Sequence, residues 1–327
     1  MKFLIAGLGS IGRRHLRHLL ALGQKDILLY RTHQATLPDQ ELQDLPFETD
    51  LDKALAWKPD AVIVSNPTAL HLDVAIPAVK AGCHLLLEKP VSHNLARLDE
   101  LQAIAAENNM RILVGFQFRY HPGLRQVAQL LRTGELGQPL SARAHWGEYL
   151  PDWHPWEDYR QGYAARKDLG GGVILTLTHS FDYLNWLLGE VKALWCFAGK
   201  VSDLELDVED TAEIGLRFEN GVIGSVHLNY TQRPPRHQLK IVCSQGTIRW
   251  DHAGSLDVYD ANTETWQHFP LPSDFERDEL FRSQMAHFIE MVQGTAQPVC
   301  TLQDGICALE LALAAHRSQQ ENRLMYL

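Results

Sequence analysis

The sequence predicts an α/β protein of two domains: a doubly wound parallel sheet over residues 1–120, and an α+β domain over 121–327 with a large, mostly antiparallel open sheet. Three observations predict this. Short apolar runs alternate with helical spacing through residue 115, as in a parallel sheet covered on both faces. From 191 to 268 the text changes to strands separated by turn pairs such as Asn220-Gly221. The total of 327 residues suits about two domains.

Taken in order, residues 2–6, 27–30, 61–64, 83–87 and 111–115 read as strands, with helices at 10–22, near 50–57, at 68–81 and at 94–108. A helix near 122–132 precedes an aromatic and proline-rich stretch at 146–163. Gly170-Gly171-Gly172 then opens a helix near 174–188. About six antiparallel strands follow, and two helices, near 275–293 and 303–319, close the chain.

Composition narrows the function classes. The net charge is −10, which argues against a nucleic-acid-binding face. No run of 18 apolar residues is present, so no membrane span is expected. The cysteines (Cys83, Cys196, Cys243, Cys300, Cys307) form no CxxC pair, and their number is odd. Reduced thiols in the cytoplasm fit this better than disulfides or zinc. His33, His145 and His154 lack metal-ligand spacing, and no metal is expected.

The chemistry begins at Gly7-Leu8-Gly9-Ser10-Ile11-Gly12, a GxGxxG between a strand and a helix. In that context it is a dinucleotide-binding turn of the Rossmann kind. Gly7 allows the tight turn, Gly9 lets pyrophosphate approach the backbone, and Gly12 lets helix and strand pack closely. Ser10 and Ile11 start the helix whose N-terminal N–H groups receive phosphate. The end of the second strand usually carries an acid for the ribose; here it reads Tyr30-Arg31-Thr32. Arg31 can pair with a 2′-phosphate, so the cofactor is expected to be NADP in preference to NAD.

Asn66-Pro67, His71, Ala81-Gly82, His84 and Glu88-Lys89-Pro90 follow, then Gly115-Phe116-Gln117, Arg119 and Pro122, and the triple glycine with His179 and Asp182. Together with GLGSIG, this series resembles the glucose-fructose oxidoreductase / inositol dehydrogenase (Gfo/Idh/MocA) family over nearly the whole chain. The resemblance implies hydride exchange between nicotinamide and a hydroxyl or carbonyl carbon of a sugar, cyclitol or nucleotide-linked sugar. It also implies an active site in a cleft between the domains, and an open sheet that supports a homodimer or homotetramer. Asn66, Pro67, His71, Glu88, Lys89 and Gln117 would serve the cofactor. Two other readings stay open: an NAD-dependent glycosidase on the same fold, and a dinucleotide-binding regulator.

Lys89 falls at a strand end, where ligands of parallel sheets bind, and can donate a proton to a carbonyl oxygen. A cis bond to Pro90 is compatible with that position. His179 is the second acid–base candidate. The family often carries a carboxylate four residues before this histidine; here Leu175 stands there, with Thr176 next to it. Thr176 is expected to offer a hydroxyl instead, and the helix start is expected to leave His179 neutral. Asp182, one turn later, would orient His179 or cap elsewhere. Trp153, Tyr159, Arg160, Tyr163, Lys167 and Arg119 supply rings and donors suited to a sugar or a phosphate, and with Thr176 and Asp182 complete the expected substrate set.

Overall fold

The computed structural model describes residues 1–327 apart from 33–36, 38 and 43. His33 therefore lies outside the described residues. In chain order the elements are β1 (Lys2–Ala6), α1 (Ser10–Ala21), β2 (Asp26–Tyr30), β3 (Phe47–Glu48), α2 (Leu51–Ala56), β4 (Ala61–Val64), α3 (His71–Lys80), β5 (His84–Leu87), α4 (Leu98–Glu107) and β6 (Ile112–Val114). Next come α5 (Pro122–Thr133), β7 (Pro139–Tyr149), α6 (Val173–Thr176), α7 (His179–Leu188), β8 (Val191–Gly199), β9 (Thr211–Phe218), β10 (Ile223–Asn229), β11 (Thr231–Cys243), β12 (Gly246–Asp251), β13 (Ser255–Asp260) and β14 (Thr265–Pro270). The chain ends with α8 (Asp278–Val292), α9 (Leu302–Glu321) and β15 (Met325–Tyr326).

Two units result. The first comprises Met1–Gln117, Asp168–Gly170 and Arg277–Leu309. Its six strands run in the order β3-β2-β1-β4-β5-β6, and every pairing among the described residues is parallel. Phe3–Ala6, Ala61–Val64 and Leu85–Leu87 are fully buried, as expected of strands covered on both faces. The sequence boundary at 120 placed residues 277–309 in the second domain; they pack in the first. The reason is α8, whose Phe288 meets Phe3 of β1 and whose Asp278 takes Arg14 and His18 of α1. Such long-range packing leaves no local trace in the sequence.

The second unit comprises Phe118–Lys167, Gly171–Glu276 and Glu310–Leu327. Its sheet has nine strands, in the order β14-β13-β12-β11-β7-β10-β9-β8-β15, more than the six expected. β7 was missed by the sequence reading. Its inward residues include Ala142 and Ala144, which carry little strand preference, yet it lies mid-sheet between β10, parallel, and β11, antiparallel. The Asn220-Gly221 turn joins β9 to β10 as expected, with Gly221 at φ +89° and Asn220 Oδ1 accepting the Val222 N–H. The single helix expected over 174–188 is broken into α6 and α7, because Ser180 and Phe181 bond three residues back, to Leu177 and Thr178.

Candidate active site

In the first unit, three adjacent parallel strands end together, and each is followed by a candidate loop. After β1, Gly7 adopts φ +96°, and a Cβ there would lie 2.3 Å from the Asn66 nitrogen. A Cβ on Gly12 would lie 1.9 Å from the Gly7 carbonyl oxygen. A Cβ on Gly9 would meet nothing within 4 Å. The first and third glycines are thus forced by packing, whereas the second faces open space, as the approach of a pyrophosphate requires. The N-terminus of α1, residues Ser10 and Ile11, carries no side-chain cap, so its N–H groups remain available to an anion.

After β4, Ser65 Oγ donates to the Gly7 carbonyl at 2.9 Å and pins the glycine turn from below. The sequence reading missed this serine. Asn66 bends its own loop by donating from Nδ2 to Leu70 O, while its buried Oδ1 has no hydrogen-bond partner among the described residues. An orphaned acceptor beside Pro67 at this strand end fits a cofactor. His71 behaves otherwise. Its Nδ1 lies 3.0 Å from Pro90 O and its Nε2 2.9 Å from Asn66 O, with the ring fully buried. Burial pulls its pKa below the usual histidine range. Neutral His71 carries one N–H, which donates to one of these two carbonyls, in the loop after β4 or in the loop after β5.

After β5 come Glu88, Lys89 and Pro90, with a cis bond between the last two. Lys89 is half-buried. Glu88, expected to serve the cofactor, is buried; its Oε1 lies 2.8 Å from His15 Nε2 on α1, and its Oε2 accepts the Lys89 N–H at 3.2 Å. Gln117, just beyond β6, is buried. Arg31 ends β2 with its guanidinium 5.4 Å from the centre of the Phe47 ring and its N–H on Glu48 O.

The second unit holds the other candidates. His179 begins α7, buried, with the Phe118 ring edge-on at 4.8 Å and the Trp146 ring at 5.3 Å. Arg119 and Asp182 bind one another: Nη2–Oδ1 is 2.7 Å and Nε–Oδ2 3.0 Å, both side chains are buried, and the guanidinium stacks on Trp186. This corrects their expected substrate role, since a buried bidentate pair consumes both charges, and it settles where the Asp182 carboxylate goes. Thr176 is buried at the end of α6, and the helix breaks between it and His179.

Arg160 is exposed and held by Asp158 (Nε–Oδ1 2.8 Å) and Glu205 (Nη1–Oε2 2.5 Å). Two carboxylates already neutralise it, a poor arrangement for capturing an anion. Tyr159 Oη accepts the Glu205 N–H, so its hydroxyl braces the same loop. Trp153 meets Tyr230 edge-on at 5.4 Å, and its buried indole N–H has no acceptor among the described residues. Tyr163 is half-buried and Lys167 exposed. One carboxylate had no sequence signal: Glu209, whose Oε1 accepts the Ile174 N–H at 3.0 Å, in space that a Cβ on Gly172 would occupy. Burial raises its pKa. No group of three metal-ligating side chains is found among the described residues, and no described helix is long and apolar enough to cross a membrane.

The glycine turn, the uncapped helix start and the lysine at the next-but-one strand end define a nicotinamide-dinucleotide oxidoreductase. Residues 1–116 match the family model described as "Oxidoreductase family, NAD-binding Rossmann fold", and residues 124–249 match "GFO/IDH/MocA C-terminal domain". The chain belongs to the Gfo/Idh/MocA oxidoreductase family and is an NAD(P)-dependent enzyme. It is 29% identical to 1,5-anhydro-D-fructose reductase of Ensifer adhaerens, over 78% of this chain and 76% of that protein. It is 27% identical to myo-inositol 2-dehydrogenase of Thermotoga maritima, over 100% and 98%. Among solved structures, a levoglucosan dehydrogenase complex with NADH and levoglucosan shares the fold at a TM-score of 0.87 and 18% identity, covering 100% of this chain and 99% of that one.

Proposed function

We propose that this enzyme oxidises or reduces one hydroxyl-bearing carbon of a sugar, cyclitol or nucleotide-linked sugar, with NADP(H) preferred over NAD(H). The observation that carries the reading is Lys89 at the carboxyl end of β5, two strands from the glycine turn that ends β1. Relatives named for anhydrofructose, inositol and levoglucosan support the substrate class. When bound, the nicotinamide supplies or accepts the hydride.

This chain's residues supply the rest. Gly7, Gly9, Gly12 and the start of α1 bind the pyrophosphate, and Asn66 Oδ1 and Pro67 border the cofactor. Arg31 meets the adenosine 2′-phosphate. Lys89 holds the proton that passes to the substrate oxygen in reduction and returns in oxidation. His179 orients the substrate hydroxyl, while Trp153, Tyr163 and Lys167 contact the remainder of the sugar. The sheet of the second unit joins copies of the chain into a homodimer or homotetramer. The absence of any disulfide among the described residues supports a reducing, cytoplasmic setting.

The test is Lys89→Ala, assayed against a panel of inositols, anhydrosugars and nucleotide sugars. Turnover should fall by roughly 10²-fold or more while NADPH still binds. Near-normal turnover with any substrate the wild type accepts removes Lys89 from the mechanism.

A further inference from the structure

The glycine turn is held from beneath by a side chain that takes no part in the proposed mechanism. Arg13 lies in the first turn of α1, one residue after Gly12, and is buried. Its Nε donates to the Leu8 carbonyl oxygen at 2.9 Å. Nη2 donates to Leu37 O at 3.1 Å, in the segment that follows β2, and Nη1 lies 3.8 Å from Glu41 Oε2. Glu41 is held in turn by Arg17, one helical turn further along α1, at 2.8 Å. Each nitrogen of the Arg13 guanidinium is thus engaged by the chain itself. The residue acts through what it holds, and in the turn it holds the peptide between Leu8 and Gly9.

That peptide is planar and trans, so its N–H points opposite to its C=O. With the Leu8 oxygen turned to the buried guanidinium, the Gly9 N–H is directed away from it. Gly9 has extended backbone, with φ −71° and ψ −170°, and a Cβ there would meet nothing within 4 Å. The neighbouring carbonyls are fixed too: Gly7 O accepts from Ser65 Oγ at 2.9 Å, and Gly9 O accepts the Arg13 N–H at 3.1 Å. Hydrogen bonds to three successive carbonyls therefore set the directions of the Leu8, Gly9 and Ser10 N–H groups, donors of the kind from which anion sites are built.

We propose that Arg13 is a positioning residue for the cofactor: by holding the Leu8 carbonyl it aims the Gly9 N–H at the pyrophosphate, and its contacts with Leu37 and Glu41 keep the guanidinium in place. A rigid planar fork suits this task, where a lysine offers one freely rotating ammonium. The proposal rests on the reading of the glycine turn as the pyrophosphate site, and the experiment tells the two apart.

Glycine amides are labelled with 15N in the wild type, Arg13→Met and Arg13→Lys. The Gly9 signal, assigned through Gly9→Ala, is followed by NMR as NADPH is added. In the wild type the Gly9 amide proton should move downfield as it meets a charged oxygen. In Arg13→Met, which keeps the length of the side chain and loses its donors, that shift should shrink, and NADPH and NADH should both bind about tenfold more weakly. The cofactor KM should rise by the same factor while kcat at saturating cofactor falls far less; a purely structural loss would lower kcat with the amount of folded enzyme. Arg13→Lys should recover part of the affinity, and if Arg13→Met does not fold it carries the test, with a smaller rise in cofactor KM. An undiminished Gly9 shift with unchanged dissociation constants in the folded variant overturns the proposal. A Gly9 signal that bound NADPH leaves unmoved in the wild type overturns the reading of the turn as the pyrophosphate site, and the proposal with it.

Discussion

At the scale of single residues, the structure separates side chains that face open space from those that face each other. Arg119 and Asp182 are the clearest case of the second kind. Their residue types and their place in the family pattern suit a sugar, but the two opposite charges are buried at 2.7 Å and neutralise each other. Asp182→Asn should cost roughly 3–5 kcal/mol of stability, because it leaves the Arg119 charge buried and uncompensated. Urea unfolding reads this directly; full stability combined with a raised substrate KM would return the pair to the substrate site. Arg31 stands at the end of β2, where a ribose-binding acid is usual, with its guanidinium 5.4 Å from the centre of the Phe47 ring. Arg31→Asp should reverse the cofactor preference, with NADPH bound about tenfold more weakly or worse and NADH bound at least as well. Fluorescence titration of both cofactors checks it, and a wild type that already prefers NADH would refute the assignment.

At the scale of elements, the N-terminus of α5 shows how tertiary contacts choose a protonation state. His121 caps the helix: its Nδ1 accepts the Gly123 N–H at 3.1 Å and the Trp250 indole N–H at 3.2 Å, and its Nε2 donates to His252 O. Both acceptor bonds require an unprotonated Nδ1. Burial lowers the pKa to about 4. A histidine whose folded pKa is depressed contributes stability that is fully present above its unfolded value of about 6.5 and is lost as pH falls through the folded value. His121 should therefore cost the fold up to about 3 kcal/mol between pH 6.5 and 4. His121→Asn keeps an acceptor at the cap and takes up no proton, so unfolding measured at pH 7, 5.5 and 4.5 should show a flatter loss. Glu88, whose pKa is lowered, loses its contribution from the ordinary carboxylate range downward, and does so alike in wild type and variant. Equal slopes in wild type and variant would disprove the account.

At the scale of the whole molecule, the nine-stranded sheet exposes Trp195 and Phe197 on β8, which pack edge-on at 4.3 Å, and Ile223 on β10. Exposed apolar rings on an open sheet face are the ground for predicting association there. Light scattering at micromolar concentration should give a dimer or tetramer, and Trp195→Glu with Phe197→Glu should shift it toward monomer; a monomeric wild type would contradict the assembly. Much of this organisation was legible beforehand. The strand–GxGxxG–helix opening, the alternation through β6 and the Asn220-Gly221 turn are local patterns, since strand period, helix spacing and glycine's access to positive φ act between near neighbours in the chain. The family order of Asn66, Glu88-Lys89-Pro90 and His179 was readable for the same reason. What the sequence did not carry were relations between distant segments: His15 on Glu88 across 73 residues, Arg119 on Asp182 across 63, and α8 on α1. Buried charges and hydrogen-bonding groups must be satisfied by whatever the fold brings beside them, and that choice exists only once the chain has packed.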